Sequence, residues 1–368
     1  MCPDSNSKNE NVTSEDIDSL RERIDGLDEK IVEVVNQRAR LARSIGRVKA
    51  GSNDTVYKPH REHAVYEHVS SSNRGPLSDE AVKAIFREVM SGCIALEKPV
   101  RVAYLGPEGT FTHWASRSHF GDSVAYSPVT SLEEVFDEVQ RERADYGVVP
   151  VENSTEGGIR ETLALFLDSS LKACAEIVYE IHHSLMAACS LEQVSTVYSK
   201  GPVFGQTRRW LRDNLSGAER VEVESTSQAA DIASKEEGAA AIGFEALAPA
   251  YGLEVLVRNI QDRLHNVTRF FVLGRRISEP TGEDKTAILC SVEDRVGALH
   301  DLLKAFKEHN INMTKIESFP SQAEAWDYYF FIDFMGHPED PETRVALDAI
   351  KKHCDAFRVL GAFPCSQD

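Results

Sequence analysis

Between Ile17 and Val48 the apolar residues Ile17, Leu20, Ile24, Leu27, Ile31, Val34, Leu41, Ile45 and Val48 recur at alternating spacings of three and four. That is the stripe of one long amphipathic helix facing a core. At 1.5 Å per residue such a helix is ~50 Å long, more than a compact three-helix unit of one chain can cover, so a second copy is expected beside it. The position that continues the stripe between Val34 and Leu41 is Arg38. A guanidinium keeps its charge, and a buried, unpaired one is costly, so an anion must meet it there.

Helical patterning runs from about Ser14 to residue 98, after a polar stretch over residues 1–13 that reads as disordered. A Gly-Ser-Asn-Asp loop ends the long helix. A second helix starts near Pro59, a residue suited to a first turn. A third starts after Ser78, where Asp79 and Glu80 favour a helix N-terminus. Lys49 follows Arg38 by 11 residues, about three turns, so both cations share a face. Arg21 precedes Arg38 by 17 residues and sits about a quarter turn away, within reach of the same ligand only from an antiparallel partner. Arg61 leads an i, i+4, i+8 line with Val65 and Val69. Several inward cations without matching inward acids point to a small, multiply anionic ligand.

Over residues 100–276 the pattern changes to short apolar strands alternating with helices, an α/β arrangement with ligands at the loops beyond strand ends. Polar clusters sit at such ends. They are GPEGTF with Thr110, VPVENSTEGG with Glu152, Asn153, Ser154 and Thr155, Gln206 at a helix start, ESTS with Ser227, and NVTRFF with Thr268, Arg269 and Phe270. ISEPTGEDK reads as a linker, and residues 285–368 follow the order βαββαβ, the ferredoxin-like arrangement. A net charge of −18 argues against a nucleic-acid surface. No run approaches the ~18–20 apolar residues of a membrane span, and the N-terminus lacks an apolar signal core. Seven scattered cysteines fit reduced thiols and a cytoplasmic setting.

The motifs LRERIDGLDEK, NQRARLA, GRVK, VYKPHRE and IFREVMSGCIALEK resemble the all-helical chorismate mutase family. That resemblance implies a pericyclic rearrangement of chorismate to prephenate, which needs no nucleophile or metal, only a compact hold on a dicarboxylate. Arg38 and Arg21 of the partner subunit would clamp the carboxylates, Lys49 would donate to the ether oxygen, Glu62 would accept from the ring hydroxyl, and Arg61 would support the site. Three positions depart from the usual pattern: Lys58 stands where Asp is frequent, Cys93 where Ser is, and Glu97 where Gln is.

The middle clusters resemble prephenate dehydratase, which implies two lobes like a periplasmic binding protein and a decarboxylating dehydration in the cleft. Thr268 would hydrogen-bond the departing hydroxyl. Arg269, Asn153, Ser154 and Thr155 would hold carboxylates, and Glu152 and Gln206 would shape the cleft, with Thr110, Ser227 and Phe270 beside them. DRVGALHDLL and TKIESFPSQAEAWDYYFF resemble the ACT domain. Gly297, Ala298, Leu299, Glu317 and Ser318 would then bind a phenylalanine effector, with Phe319 where the family has Arg.

The whole reads as a multidomain chain: an all-α three-helix mutase, an α/β two-lobed dehydratase and an α+β ferredoxin-like ACT domain. The implied assembly is a homodimer or homotetramer, with no cofactor, metal, nucleic acid or membrane. The rival readings are a dehydratase with a weak mutase and a non-catalytic sensor. An ether oxygen only accepts hydrogen bonds, so Glu97 must be protonated to serve it. Mutase activity should therefore fall as pH rises, and Glu97→Gln should flatten the profile of chorismate turnover; an unaltered profile in that variant refutes the role.

Overall fold

The computed structural model describes residues 16–49, 57–155, 157–263, 265–320 and 328–366, so the expectation for residues 1–13 lies outside it. Helices α1 (Ile17–Lys49), α2 (Pro59–Ser72) and α3 (Asp79–Glu97) come first along the chain, and α4 (Phe111–Phe120) follows the first strand. Pro59 occupies the first turn of α2. The Ser78 side chain accepts from the Ala81 N–H, satisfying one of the orphan donors that open α3.

Helix α1 packs along α3, yet its apolar stripe is not covered: Leu41 is 68% exposed and Val48 85%. The stripe is thus not core-facing within one chain, because α2 and α3 are too short to span it. An uncovered apolar face of this length marks an interaction surface.

The described residues form fifteen strands: β1 (Arg101–Leu105), β2 (Ala125–Val129), β3 (Tyr146–Asn153), β4 (Gly157–Gly158), β5 (Lys172–Glu180), β6 (Ser184–Ala187), β7 (Thr196–Ser199), β8 (Glu219–Glu222), β9 (Ala239–Gly243), β10 (Glu254–Val257), β11 (Val267–Gly274), β12 (Asp284–Ser291), β13 (Met313–Pro320), β14 (Tyr328–Met335) and β15 (Ala356–Pro364). They form two sheets. The smaller has the order β10-β6-β9-β7-β8 and uses only residues between β5 and β11. The chain therefore leaves the first lobe after β5, builds the second, and returns in β11. Its two crossings, near His183 and Asn266, run side by side: the Ile181 N–H donates to the Asn266 carbonyl at 2.7 Å and the Ile260 N–H to the His183 carbonyl at 2.8 Å.

The larger sheet runs β13-β14-β12-β15-β5-β11-β3-β1-β2, with β4 paired to β3. It joins the C-terminal βαββαβ unit to the first lobe through β15 and β5, where Gly361 lies opposite Ala173. A Cβ at Gly361 would overlap the Ala173 carbonyl oxygen, so this junction requires glycine. The segment read as a linker does not separate the two units. Ser278 is buried and its N–H bonds the Ala362 carbonyl at 3.0 Å. Phe166 and Phe271 of the first lobe share one core with Phe331 and Phe363 of the C-terminal unit.

A charged cluster crosses the same seam. The Arg269 guanidinium donates to Glu176 at 2.8 Å and to Asp333 of the C-terminal unit, and stacks over Phe271 at 4.9 Å. Lys285 adds a 2.7 Å bond to Glu176. Burial pushes the Glu176 carboxyl upward, but Arg269 and Lys285 outweigh it and hold the group below its ordinary range. Burial wins at Asp333, whose carboxyl is raised despite Arg269. Arg269→Leu would leave Asp333 stranded in the seam and Glu176 with Lys285 alone, costing about 3–5 kcal/mol. Denaturant unfolding should show that loss, and an unchanged midpoint would remove Arg269 as the seam's anchor.

Candidate active sites

Helices α1–α3 line an open cavity of about 500 Å³. Arg38 enters from α1, Arg61 and Glu62 from α2, and Cys93 and Glu97 from α3, with Tyr57 and Lys58 from the preceding turn. Leu41, Ile45, Val65 and Met90 give it an apolar wall. The Arg38 Nη1 donates to Cys93 Sγ at 3.0 Å, so the residue where Ser is usual points at the cation. Glu62 is held by two phenols: Tyr57 donates to Oε2 at 2.8 Å and Tyr66 to Oε1 at 3.1 Å. A carboxylate has about four lone-pair sites, so acceptor capacity is left for a ligand hydroxyl.

Lys58 lies 3.7 Å from Glu279 of the segment before β12. Arg21 is exposed, paired with Asp18 at 3.2 Å, and does not line the cavity of its own chain. Lys49 ends α1, and its side chain lies outside the described residues. The sequence reading missed Tyr57 and His60, which also line the cavity. Both stand in VYKPHRE, where the missed signal was an aromatic two residues before a helix start.

Between the lobes a second polar cluster forms around Thr268, which is only 8% exposed. Asn153 Nδ2 donates to Thr268 Oγ1 at 2.8 Å and to Asn266 Oδ1 at 3.1 Å. Asn153 Oδ1 accepts from the Thr155 N–H at 2.9 Å. Gln206 Oε1 accepts from Asn266 at 2.9 Å and meets His183 Nε2 at 2.7 Å. Gln206 ends the short helix Gly201–Gln206 rather than starting one. The Ser154 hydroxyl accepts from the Val267 N–H at 3.0 Å, tying the turn after β3 to the start of β11. Phe111, at the start of α4, packs edge-on to His183 with ring centroids 5.6 Å apart.

Thr110 caps α4 by accepting from the His113 N–H. Ser227 donates to the Glu108 carbonyl at 2.7 Å, bringing the second lobe onto the GPEG loop. Gly109 (φ +83°) is needed there, since a Cβ would overlap Leu247 and crowd Ser227. Asn266 and His183 were missed by the sequence reading. Asn266 stood two residues before Thr268, and one-residue alternation along a strand could have singled it out.

The same alternation corrects two expectations. Successive strand residues point to opposite faces, so Asn153 and Thr268 cannot share a face with Glu152 and Arg269. Arg269, expected to hold a substrate carboxylate, faces the C-terminal unit between Glu176 and Asp333. Glu152, expected to shape the cleft, bonds Lys315 of β13 at 3.0 Å. Phe270 shares the Thr268 face, but as core, fully buried beside Tyr104 and Val148.

Residues 20–98 match the family of type II chorismate mutases, 102–278 that of prephenate dehydratases, and 286–351 the ACT domain. A bifunctional chorismate mutase/prephenate dehydratase of Aquifex aeolicus is 45% identical over 355 residues, 95% of this chain and 98% of the relative. The chain belongs to the bifunctional chorismate mutase/prephenate dehydratase family. Among solved structures, the prephenate dehydratase of Arthrobacter aurescens in complex with L-Phe is similar at 31% identity and a TM-score of 0.67, covering 72% of this chain and 90% of that one. A quorum-quenching acylase is similar at 26% identity and a TM-score of 0.66, covering 73% and 98%.

In the ACT domain Gly297 is exposed, adopts φ +86° and caps the helix Ala298–Glu308, leaving Leu299 half-buried in its first turn. Strand alternation again divides the expected pair. Ser318 is exposed, whereas Glu317 turns inward, pairs with Lys315 at 3.1 Å and abuts Gly158 of the dehydratase domain. Phe319, where the family has Arg, is buried in the shared core. No helix among the described residues is long and apolar enough to cross a membrane.

Proposed function

We propose that the helical domain converts chorismate to prephenate and that the interlobe cleft converts prephenate to phenylpyruvate, with phenylalanine acting at the ACT domain. The observation that carries this reading is the pairing, in one chain, of the Arg38–Glu62 cavity with the Asn153–Thr268 cluster. In the first site the rearrangement makes and breaks its bonds within one molecule. Arg38 and Arg21 of the partner subunit hold the two carboxylates, Lys49 donates to the ether oxygen and a carboxylate, and Glu62 accepts from the ring hydroxyl. What the residues supply is a compact conformer and charge placed where the ether oxygen develops it.

In the second site Asn153 occupies an acceptor position on Thr268 Oγ1, which leaves the Thr268 O–H to donate into the cleft. It donates a hydrogen bond to the departing ring hydroxyl, which takes up one proton drawn from solvent and leaves as water. The ring carboxylate leaves as CO2, and its bonding electrons complete the aromatic ring. With Arg269 on the opposite face, the carboxylates fall to hydroxyls and N–H groups at Thr110, Asn153–Thr155 and Ser225–Ser227, two of them at helix N-termini.

The uncovered stripe of α1 supports a homodimer formed through it, and cysteines free of disulfides among the described residues support a cytoplasmic setting. Conversion of chorismate through to phenylpyruvate by the purified protein is the direct test. Prephenate turnover without chorismate turnover would leave a dehydratase alone, and neither would leave a sensor. Thr268→Ala should lower dehydratase kcat by about 100-fold or more while sparing the mutase; equal loss of both indicates misfolding instead. Arg21→Ala and Arg38→Ala should each abolish mutase activity. A mixture should regain about a quarter of it, since half the dimers are mixed and each of these holds one intact site. No recovery after verified subunit exchange refutes a shared site.

A further inference from the structure

Tyr57 belongs to the mutase segment by sequence but to the dehydratase core by packing. It is 3% exposed, and its ring lies 5.0 Å from Phe120 and 5.3 Å from Tyr146, centroid to centroid. Its carbonyl accepts from the Tyr146 hydroxyl at 3.1 Å. Its own hydroxyl donates to Glu62 Oε2 at 2.8 Å and lies 2.5 Å from His119 Nε2, on α4 of the dehydratase domain. A phenol has one proton. With that proton on Glu62, the Tyr57 oxygen can only accept from His119, so Nε2 carries the hydrogen.

Burial lowers the His119 pKa, Arg87 adds to the effect and Glu62 opposes it, which favours the neutral ring. Burial likewise keeps the Tyr57 phenol protonated. Two residues after Tyr57, Pro59 opens α2, and Glu62 follows within its first turn. The dehydratase core thus fixes both where α2 begins and how its carboxylate is turned.

We propose that His119 and Tyr57 are positioning residues for the mutase site, a directional chain His119 Nε2–H to Tyr57 O–H to Glu62 that starts in the dehydratase domain. The inference rests on the reading of Glu62 as the acceptor for the substrate hydroxyl. It makes the mutase of this chain dependent on a side chain of its neighbouring domain. Without the histidine donor the Tyr57 phenol loses its second anchor, and Glu62 loses its fixed orientation. The contact of Glu62 with the ring hydroxyl is made in ground and transition states alike, so the loss should fall on KM.

The test is steady-state kinetics of both reactions in the full-length protein carrying His119→Leu, His119→Gln, Tyr57→Phe or Glu62→Gln. His119→Leu and Tyr57→Phe should raise KM for chorismate about tenfold with kcat within about twofold, and dehydratase kinetics should stay at wild-type values. His119→Gln places an amide N–H near the lost Nε2–H and should restore the mutase KM. Equal damage from Leu and Gln, parallel loss of both activities, or no effect of His119→Leu beside a damaged Glu62→Gln would each overturn the positioning role. Wild-type chorismate kinetics in Glu62→Gln would instead overturn the assignment of Glu62, and the inference with it.

Discussion

A guanidinium held between two buried carboxylates organises the centre of this molecule. Arg269 draws Glu176 from its neighbouring strand and Asp333 from the ACT domain to one point, over the faces of Phe271 and Phe363. None of the three charges is tolerable there alone, because desolvation would exceed any remaining interaction. The seam between dehydratase and sensor is therefore specified electrostatically as well as by the shared phenylalanine core. Lys315 extends the same network, linking Glu317 of the sensor to Glu152 at the end of β3. One residue further along that strand, Asn153 reaches Thr268. The sensor thus touches the back of the strand whose front bears the dehydratase cluster.

The mutase is joined in a different way. Tyr57 is sunk into the dehydratase core, and α3 rests on α4 and the loop after it: Arg87 donates to the Ser118 carbonyl, and the Ser123 N–H donates to the Ser91 hydroxyl. The mutase cavity thus meets the dehydratase domain through Tyr57, and the dehydratase cluster lies between two lobes, the first of which continues into the ACT domain through β5 and β15. Polar groups at such seams have their partners chosen by packing, which gives them fixed orientation at little cost in conformational entropy.

Much of this was legible in the residues. Helix starts at Pro59 and Ser78 follow from backbone chemistry that acts over three or four residues, and they appear where those residues stand. The βαββαβ order of the C-terminal unit is likewise a matter of local periodicity. Arg38 and Arg61 reach one cavity because a helical stripe converts spacing directly into direction, and Lys58, Glu62, Cys93 and Glu97, which only the family resemblance pointed to, line the same cavity. Glu152 and Arg269 were misassigned because a motif was treated as a unit, although strand geometry sends its alternate members to opposite faces.

Composition and periodicity alone determined the three kinds of segment, the surplus of inward cations on the first, and a helix too long to bury its own stripe. These are consequences of local geometry and of the cost of stranding apolar surface or charge, and they hold for the chain wherever it packs. Only the tertiary structure decided that the supposed linker is buried, that Gly361 lets two sheets become one, that Arg269 serves the sensor seam, and that a histidine of one domain reaches the carboxylate of another. Each of these depends on contacts between residues far apart in the chain. No spacing along the chain encodes such contacts, because they form only when separate cores close on each other.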